Sequence, residues 1–571
     1  MDFLEELTNE SKIAYFSMEI GFRNDIPTYS GGLGVLAGDT IKSGADLNLP
    51  LVAVSLIYKK GYFRQEIDAS GRQIEHPEHW SPAEHMSLLP QKVKVSIEGR
   101  EIVVQAWVYN ITSLATKWKV PIFFLDTDVP ENSPEDRSIT DTLYGGDDRY
   151  RLKQEVVLGI GGVRMLRALG FKIKKYHMNE GHAALLTLEL LNRYKKDIES
   201  VWDEREIWDT ERIKDLCVFT THTPVEAGHD RFSYELVKEV AGEIIPIDVL
   251  KELGSRDKLN MTRLAMNLSQ YINGVAKKHR DVSQVLFPGY KIQAITNGVH
   301  TFTWVSEPFA RLYDKYMPGW ANEPELFVRI ARIPEDELWG AHMTAKRALI
   351  DYVNEKTGIG MDYDTLTIGF ARRSTAYKRA NLLMWDIERL RKIGKGKIQV
   401  IYAGKAHPRD AEGKKNIELI IKTAAELKKD IKIVYLENYN MDLGLKLASG
   451  VDIWLNTPMR PREASGTSGM KASHNGVLNF SILDGWWIEG HIEGYTGWSI
   501  GPDPTEVSLI KPTDEADAED LYFKLETQVI PTYYENRHIW LRMMENSIGK
   551  IAYYFNSHRM MRRYVTEAYI R

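Results

Sequence analysis

The segment from Pro461 to Gly490, PREASGTSGMKASHNGVLNFSILDGWWIEG, sets one lysine, Lys471, behind a run of small residues. Ser465, Gly466, Thr467, Ser468 and Gly469 can bring backbone N–H groups and hydroxyls against an anion, and a helix begun by the segment after them would add the positive end of its dipole. The stretch before it, VDIWLNTP from Val451 to Pro458, is short, apolar and closed by proline, so it reads as a buried strand. Glu463 then falls at a strand-to-helix turn, where open α/β sheets hold ligands. A lysine at the far end of a phosphate loop has two chemical uses. It is a point charge for phosphate, although the G-x-x-x-x-G-K-[ST] spacing is absent, or it forms a Schiff base with pyridoxal phosphate whose own phosphate lies in the small-residue loop. A Ser/Gly turn beside a solvated lysine is a third reading. A second cluster, Arg372-Arg373-Ser374-Thr375-Ala376-Tyr377-Lys378-Arg379, directly follows the apolar run TLTIGFA, which places its cations at the carboxyl end of a strand. Such charge runs are usually solvated faces.

The elements that must position these groups alternate. Ile13 to Met18 (IAYFSM) is a strand closed by Glu19, and the loop residues Gly31-Gly32-Leu33-Gly34 precede a pattern of helical period through Leu36, Ile41 and Ala45. LVAVSLIY (Leu51 to Tyr58) is a fully apolar strand, VKVSIEGREIVVQAWVYNI a hairpin, and VPIFFLDTDV another buried strand. After the loop YGGDDRY comes a helix, RLKQEVVLGIGGVRMLRALG. Asn179, Glu180 and His182 stand at a strand end, as does His222, where a histidine is a hydrogen-bonded core residue as readily as a ligand. His76 and His79 have metal-compatible spacing but no third ligand, and a polar loop is the better reading. From Trp304 to about Leu366 the pattern is helical and charged, the entry into a second domain. Strand and helix then alternate through TLTIGFA, KIQVIYAG, NIELIIKTAAELKK, IKIVYLENY, MDLGLKLASG and VDIWLN, which implies parallel βαβ units.

With 571 residues the chain is long enough for two or three domains. Lys and Arg number 74 and Asp and Glu 79, a net charge of −5 that gives no electrostatic case for nucleic acid. Fourteen Trp and 28 Tyr supply flat faces on which sugar rings stack, although most will be core. Cys217 is the only cysteine, so there is no intrachain disulfide and no cysteine metal cluster. The acidic start, MDFLEELTNESK, lacks a signal-peptide pattern, and no stretch approaches the roughly eighteen uninterrupted apolar residues of a membrane span. The expectation is a cytoplasmic protein without a resident metal.

Residues 463–471, EASGTSGMK, resemble the cofactor-lysine signature of the α-glucan phosphorylases of glycogen, starch and maltodextrin. The resemblance implies an α/β fold of two Rossmann-like domains facing across a cleft, the GT-B glycosyltransferase architecture. Residues 1–304 would be the glucan domain, 305–540 the cofactor and phosphate domain, and 541–571 helices crossing back. It places pyridoxal 5'-phosphate on Lys471, with Gly466, Thr467, Ser468, Arg372, Tyr377 and Glu19 as further cofactor contacts. Arg373 and Lys378 would hold inorganic phosphate and, with His222 and Lys471, form the catalytic set. Gly31, Gly32, Leu33, Gly34, Glu180, His182, His222, Asn297, Glu463, Ala464, Ser465 and Gly466 would contact the glucan. The implied reaction is phosphorolysis of the terminal non-reducing α-1,4-linked glucose to α-glucose 1-phosphate with retention. Retaining hydrolases use paired carboxylates. This family instead has inorganic phosphate protonate the leaving oxygen, supported by the cofactor's phosphate, with cations and dipoles stabilising an oxocarbenium-like transition state.

Three departures qualify the match: Val35 and Asn440 stand where larger relatives carry arginine, and the sequence diverges after Gly485. His300 has no counterpart. The chain is shorter than the large regulated members and is expected to lack their N-terminal regulatory extension; a homodimer or larger homo-oligomer is implied. The rival readings are a nucleotide-sugar-dependent glycogen or starch synthase-like glycosyltransferase, which would not need Lys471, and a non-catalytic glucan-binding protein, which would have lost members of the Arg373, Lys378, Lys471 set.

Overall fold

Two parallel sheets, one in each of two compact units, are the framework of the computed structural model, which describes residues 12–201, 203–504 and 512–570. The first unit takes the described residues up to Phe63, then Pro77–Ile295 and the described residues from Met560. The second takes Arg64–His76 and Thr296–Arg559. Most of the N-terminal stretch read for a signal peptide, residues 1–11, lies outside the described residues.

In the first unit the strands Ile13–Ser17, Leu51–Leu56, Lys119–Asp126, Lys175–Asn179, Cys217–Thr220, Tyr271–Gly274 and Gln293–Ala294 are parallel. Counted along the chain, their spatial order is 3-2-1-4-5-6-7. Arg100–Thr112 adds antiparallel to Lys119–Asp126 and forms the expected hairpin with Val93–Ile97. The apolar runs are buried along their length because both faces of the sheet are covered. With side chains alternating, Phe16, Phe123 and Phe219 enter one core, while Tyr15, Phe124 and Val218 enter the other. The end of the chain completes that second core with Met560, Met561, Tyr564 and Tyr569. Asn273 donates to the Tyr564 hydroxyl (3.0 Å), and the Tyr569 hydroxyl pairs with His177 Nδ1 (2.7 Å). Cys217 is buried here, as a core residue.

In the second unit Leu366–Ala371, Ile398–Ala403, Lys432–Leu436, Ile453–Asn456, Leu478–Ile482 and Gly497–Ile500 form a six-stranded parallel sheet in the order 3-2-1-4-5-6. Both units therefore carry the doubly wound order, in which ligands collect outside the carboxyl ends of strands 1 and 4. Glu19 and Glu180 follow those two strands in the first unit; Arg372 and the Thr457–Glu463 segment follow them in the second. The helix Glu335–Thr357 opens with three acidic residues and closes on left-handed Gly358. Lys346 pins it to the sheet through Asp452 (2.6 Å), which His342 also contacts (2.8 Å), all three side chains being fully buried.

Residues 64–76 were not expected in the second unit. Arg64–Ile67 and Gln73–His76 form an antiparallel hairpin there. Gln65 donates to the Gly404 carbonyl (2.9 Å) and accepts the Asn438 N–H (2.8 Å), while Gln73 exchanges two hydrogen bonds with the Ala406 backbone (2.9 Å each). His76 is thus a strand residue, paired with Glu66 (2.8 Å), which corrects the polar-loop reading for His76, whereas His79 lies in the loop that follows. Among the described residues no group of His, Cys, Asp and Glu could hold a metal ion, and no helix is long and apolar enough to cross a membrane.

Candidate active site

At the carboxyl edge of the first sheet, two acids organise the loops. Glu19 is buried, and its carboxylate accepts the backbone N–H groups of Ser30 (2.6 Å) and Gly31 (3.2 Å) and the Tyr144 hydroxyl (2.9 Å). Burial raises its pKa, and these donors oppose the rise. Gly34 has to be glycine: a Cβ there would sit 2.6 Å from the Glu19 carboxylate. The helix begins earlier than the sequence implied, running Gly32–Asp46, so Gly32, Leu33 and Gly34 form its first turn and only Gly31 precedes it. Val35 is buried in that turn.

Glu180 has a left-handed backbone (φ 74°), uncommon outside glycine. Its buried carboxylate accepts N–H groups from Gly181 (3.1 Å) and His222 (2.7 Å) and the Thr223 hydroxyl (2.9 Å), and burial raises its pKa. His222 donates from Nε2 to the Asn179 side-chain oxygen (2.5 Å), and Asn179 in turn donates to Ser17 (3.0 Å). Desolvation, with the neighbouring histidines, lowers the His222 pKa to about 3, so the ring is neutral and the Asn179 contact fixes its tautomer. His182 lies 3.5 Å from Asp230, and burial lowers its pKa. Glu19, Gly31–Gly34, Glu180, His182 and His222 all belong to this unit.

The second unit holds the rest. Asn297 belongs to it, buried, with a side-chain oxygen that meets no hydrogen-bond donor among the described residues. The four cations of 372–379 divide. Arg372 (2.8 Å) and Lys378 (2.5 Å) converge on one oxygen of Glu463. Burial alone would raise the Glu463 pKa, but the two cations hold it at about 2. Arg379 is structural, bonded to the carbonyls of Thr457 and Pro458 and to Asp514 and Asp517. Arg373 is exposed. Burial works to raise the Tyr377 pKa, yet Lys378, 4.5 Å over its ring, and Arg373 leave it lowered.

Lys471 is buried within the short helix Ser468–Ser473, with Thr467 at its N-cap and Gly466 left-handed before it. The preceding strand is Ile453–Asn456, as expected. The Lys471 Nζ lies 3.7 Å over the Trp304 ring, a wall that nothing in the sequence spacing pointed to. Asn475 donates to the carbonyls of both Trp304 (2.7 Å) and Lys471 (3.0 Å) and so fixes that pair. Ser468 accepts the Trp454 indole N–H (3.0 Å). Asn440 caps the helix Met441–Gly450 by accepting the Leu443 N–H (2.9 Å), a role that Asn just before a helical pattern could have disclosed. His300 is occupied with Thr303 (2.7 Å) and stacks on His558.

A doubly wound sheet with a buried amine behind small residues and a cation pair around one carboxylate defines an α/β enzyme built to manage anions. The chain belongs to the carbohydrate phosphorylase family. The family model described as "Carbohydrate phosphorylase" matches residues 23–129 and 208–495, which include Gly31–Gly34, His222, Asn297 and every candidate in the second unit, but not Glu19, Glu180 or His182. The maltodextrin phosphorylase of Thermococcus litoralis is 42% identical over 98% of this chain and 70% of its own. The glycogen phosphorylase of Aquifex aeolicus is 36% identical over 99% of this chain and 87% of its own. An uncharacterised protein of Methanocaldococcus jannaschii is 32% identical over 97% of this chain and 99% of its own.

Proposed function

We infer that the protein is an α-1,4-glucan phosphorylase. It transfers the terminal non-reducing glucose of an α-1,4-glucan, glycogen or maltodextrin, to inorganic phosphate and yields α-glucose 1-phosphate with retained configuration. The observation that carries this reading is the carboxyl edge of the second sheet: buried Lys471 behind small residues, with Arg372 and Lys378 gathered on Glu463, in a chain of this family. The strand order common to both units supports the two-Rossmann GT-B architecture. Under this reading the first half of the chain contacts glucan, and the second half holds cofactor and phosphate.

The residues fit pyridoxal phosphate. Lys471 offers a primary amine against an aromatic wall, Gly466, Thr467 and Ser468 stand half-buried at a helix start, and Asn456, at the end of strand 4, has a buried side-chain oxygen with no donor among the described residues. Lys471 would anchor the cofactor, with Gly466, Thr467, Ser468, Arg372 and Tyr377 around it. Bound there, the cofactor supplies a phosphate able to exchange a proton with inorganic phosphate. Lys378 and Arg373 orient inorganic phosphate and offset its charge, while Glu463 to Gly466 accept glucose hydroxyls. Neutral His222, its tautomer fixed by Asn179, and Glu180 and Glu19 shape the glucan loops. The test is incubation of the purified protein with maltoheptaose and phosphate. Formation of α-glucose 1-phosphate by a protein carrying cofactor on Lys471 is expected; free glucose alone, or turnover only with a nucleotide sugar, overturns the reading.

A further inference from the structure

Resting on the phosphorylase reading, we propose that Asp484 is a positioning residue for the reaction and that the turn Asp484-Gly485-Trp486 holds the Glu463–Ser465 backbone in its working place. The turn follows the fifth strand, Leu478–Ile482, and grips that segment at three points. One Asp484 oxygen accepts the Glu463 N–H (2.9 Å), and the other accepts the Gly485 N–H (2.9 Å). The Trp486 N–H donates to the Ser465 carbonyl (2.9 Å). Gly485 is left-handed (φ 56°), and a Cβ on it would stand 2.3 Å from the Ser465 oxygen, so the two backbones are as close as they can be. The Trp486 ring reaches further along the same segment, where a Cβ on Gly469 would come within 2.8 Å of it.

Asp484 contacts neither cation of the Glu463 group and acts only through the main chain. It is 3% exposed; burial, together with the Glu463 charge, pushes its pKa up to about 7, against the pull of the two N–H donors and Arg460. A carboxyl buried at such a cost is one whose acceptor geometry is used. The Glu463 carboxylate, by contrast, sits between Arg372 and Lys378, so a displaced Glu463 backbone displaces the point where sugar and phosphate contacts meet. A shift of about 1 Å in such a group lowers turnover by roughly a hundredfold.

Two variants disturb the turn by different means. Asp484→Asn keeps the shape but leaves one acceptor oxygen for two N–H donors. Gly485→Ala keeps the carboxylate and pushes a methyl into Ser465. Initial rates are measured for wild type and both variants with maltoheptaose and phosphate, with cofactor content read from absorbance and folding from thermal unfolding. Both variants are expected to keep the cofactor and to lose at least tenfold in kcat, with KM for the glucan within threefold of wild type. The inference is overturned by a cofactor-loaded variant with kcat within threefold of wild type, by a kcat loss that only tracks lost cofactor, or by both variants failing to fold. A wild-type protein that cannot phosphorolyse glucan would instead overturn the function on which the inference rests.

Discussion

Glu463→Gln should tighten phosphate binding, although Glu463 itself belongs to the proposed site. The Glu463 carboxylate holds Arg372 and Lys378 at 2.8 and 2.5 Å, and its pKa stands at about 2 against an ordinary 4.5. That difference, at about 1.36 kcal/mol per tenfold change in acidity, is a net preference of about 3 kcal/mol for the charged carboxylate after burial has opposed it, so an arriving anion must share or displace an attraction at least that large. The side chain is 10% exposed, so little of this is lost to solvent screening. Gln keeps the shape and removes the charge. If phosphate recovers even half of that attraction, its Kd falls about tenfold, at about 1.4 kcal/mol per factor of ten. Glucan turnover should fall at the same time, because Glu463 is assigned to the sugar. Calorimetric titration of cofactor-loaded wild type and Glu463→Gln with inorganic phosphate at neutral pH measures the effect. Phosphate that binds the variant no more tightly than wild type would refute the idea that Glu463 competes for these cations.

The same carboxylate has an acid signature. Its folded pKa lies below its unfolded one, so its contribution to stability is complete above about pH 4.5 and lost as pH falls through about 2. Urea midpoints of wild type and Glu463→Gln should differ by a constant amount above pH 4.5 and converge below it, whereas a gap persisting at pH 2 would show that charge is not its source. Lys378→Ala should weaken phosphate binding by about 1.5–3 kcal/mol, and exposed Arg373→Ala by less; equal effects would mean that burial does not set the strength of these contacts. Lys471→Ala should be colourless and inactive, and borohydride treatment of the wild type, by contrast, should fix the cofactor to Lys471 while leaving substantial activity; abolished turnover with the structure intact would place chemistry at the amine. Gln73→Ala should destabilise the second unit by about 1–3 kcal/mol by orphaning the buried backbone groups of Ala406, and Gln65→Ala by less, because the Gly404 carbonyl keeps the Tyr435 hydroxyl and Asn438 is only half-buried, as read in chemical unfolding; changes under about 0.5 kcal/mol for Gln73→Ala would make the hairpin a surface appendage.

What the sequence disclosed was local. Runs such as LTIGFA and IQVIYA are apolar on both faces, and only a covered parallel strand explains that, so the sheets were legible. The loop ahead of Lys471 and the cations after Leu366–Ala371 were legible because turn chemistry and strand ends sit within a few residues of each other. Contacts between distant segments left no mark. The Glu463 carboxylate meets a cation 85 positions before it, and the Trp304 ring that lies under Lys471 follows from no period or spacing. Nothing in the sequence singles out Asp484, because the role proposed for it runs through two backbone N–H groups. Gly32 to Gly34 misled for another reason: glycines disfavour a helix, yet here they open one because Glu19 presses against the turn.

The docking of residues 64–76 on the second unit constrains how the protein is made. A ribosome releases that hairpin early, but Gly404, which accepts from Gln65, follows 339 positions later. The first unit can close its sheet around Pro77–Ile295 while the hairpin waits undocked, and its segment from Met560 is made only after the whole of Thr296–Arg559. Such long-range closure slows folding and leaves edges open to aggregation in the meantime. It also means that cutting the gene at 295/296 would yield no independent half. The downstream fragment would lack the strands that bind Gly404 and Ala406, and the upstream one would lack the core residues Met561, Tyr564 and Tyr569.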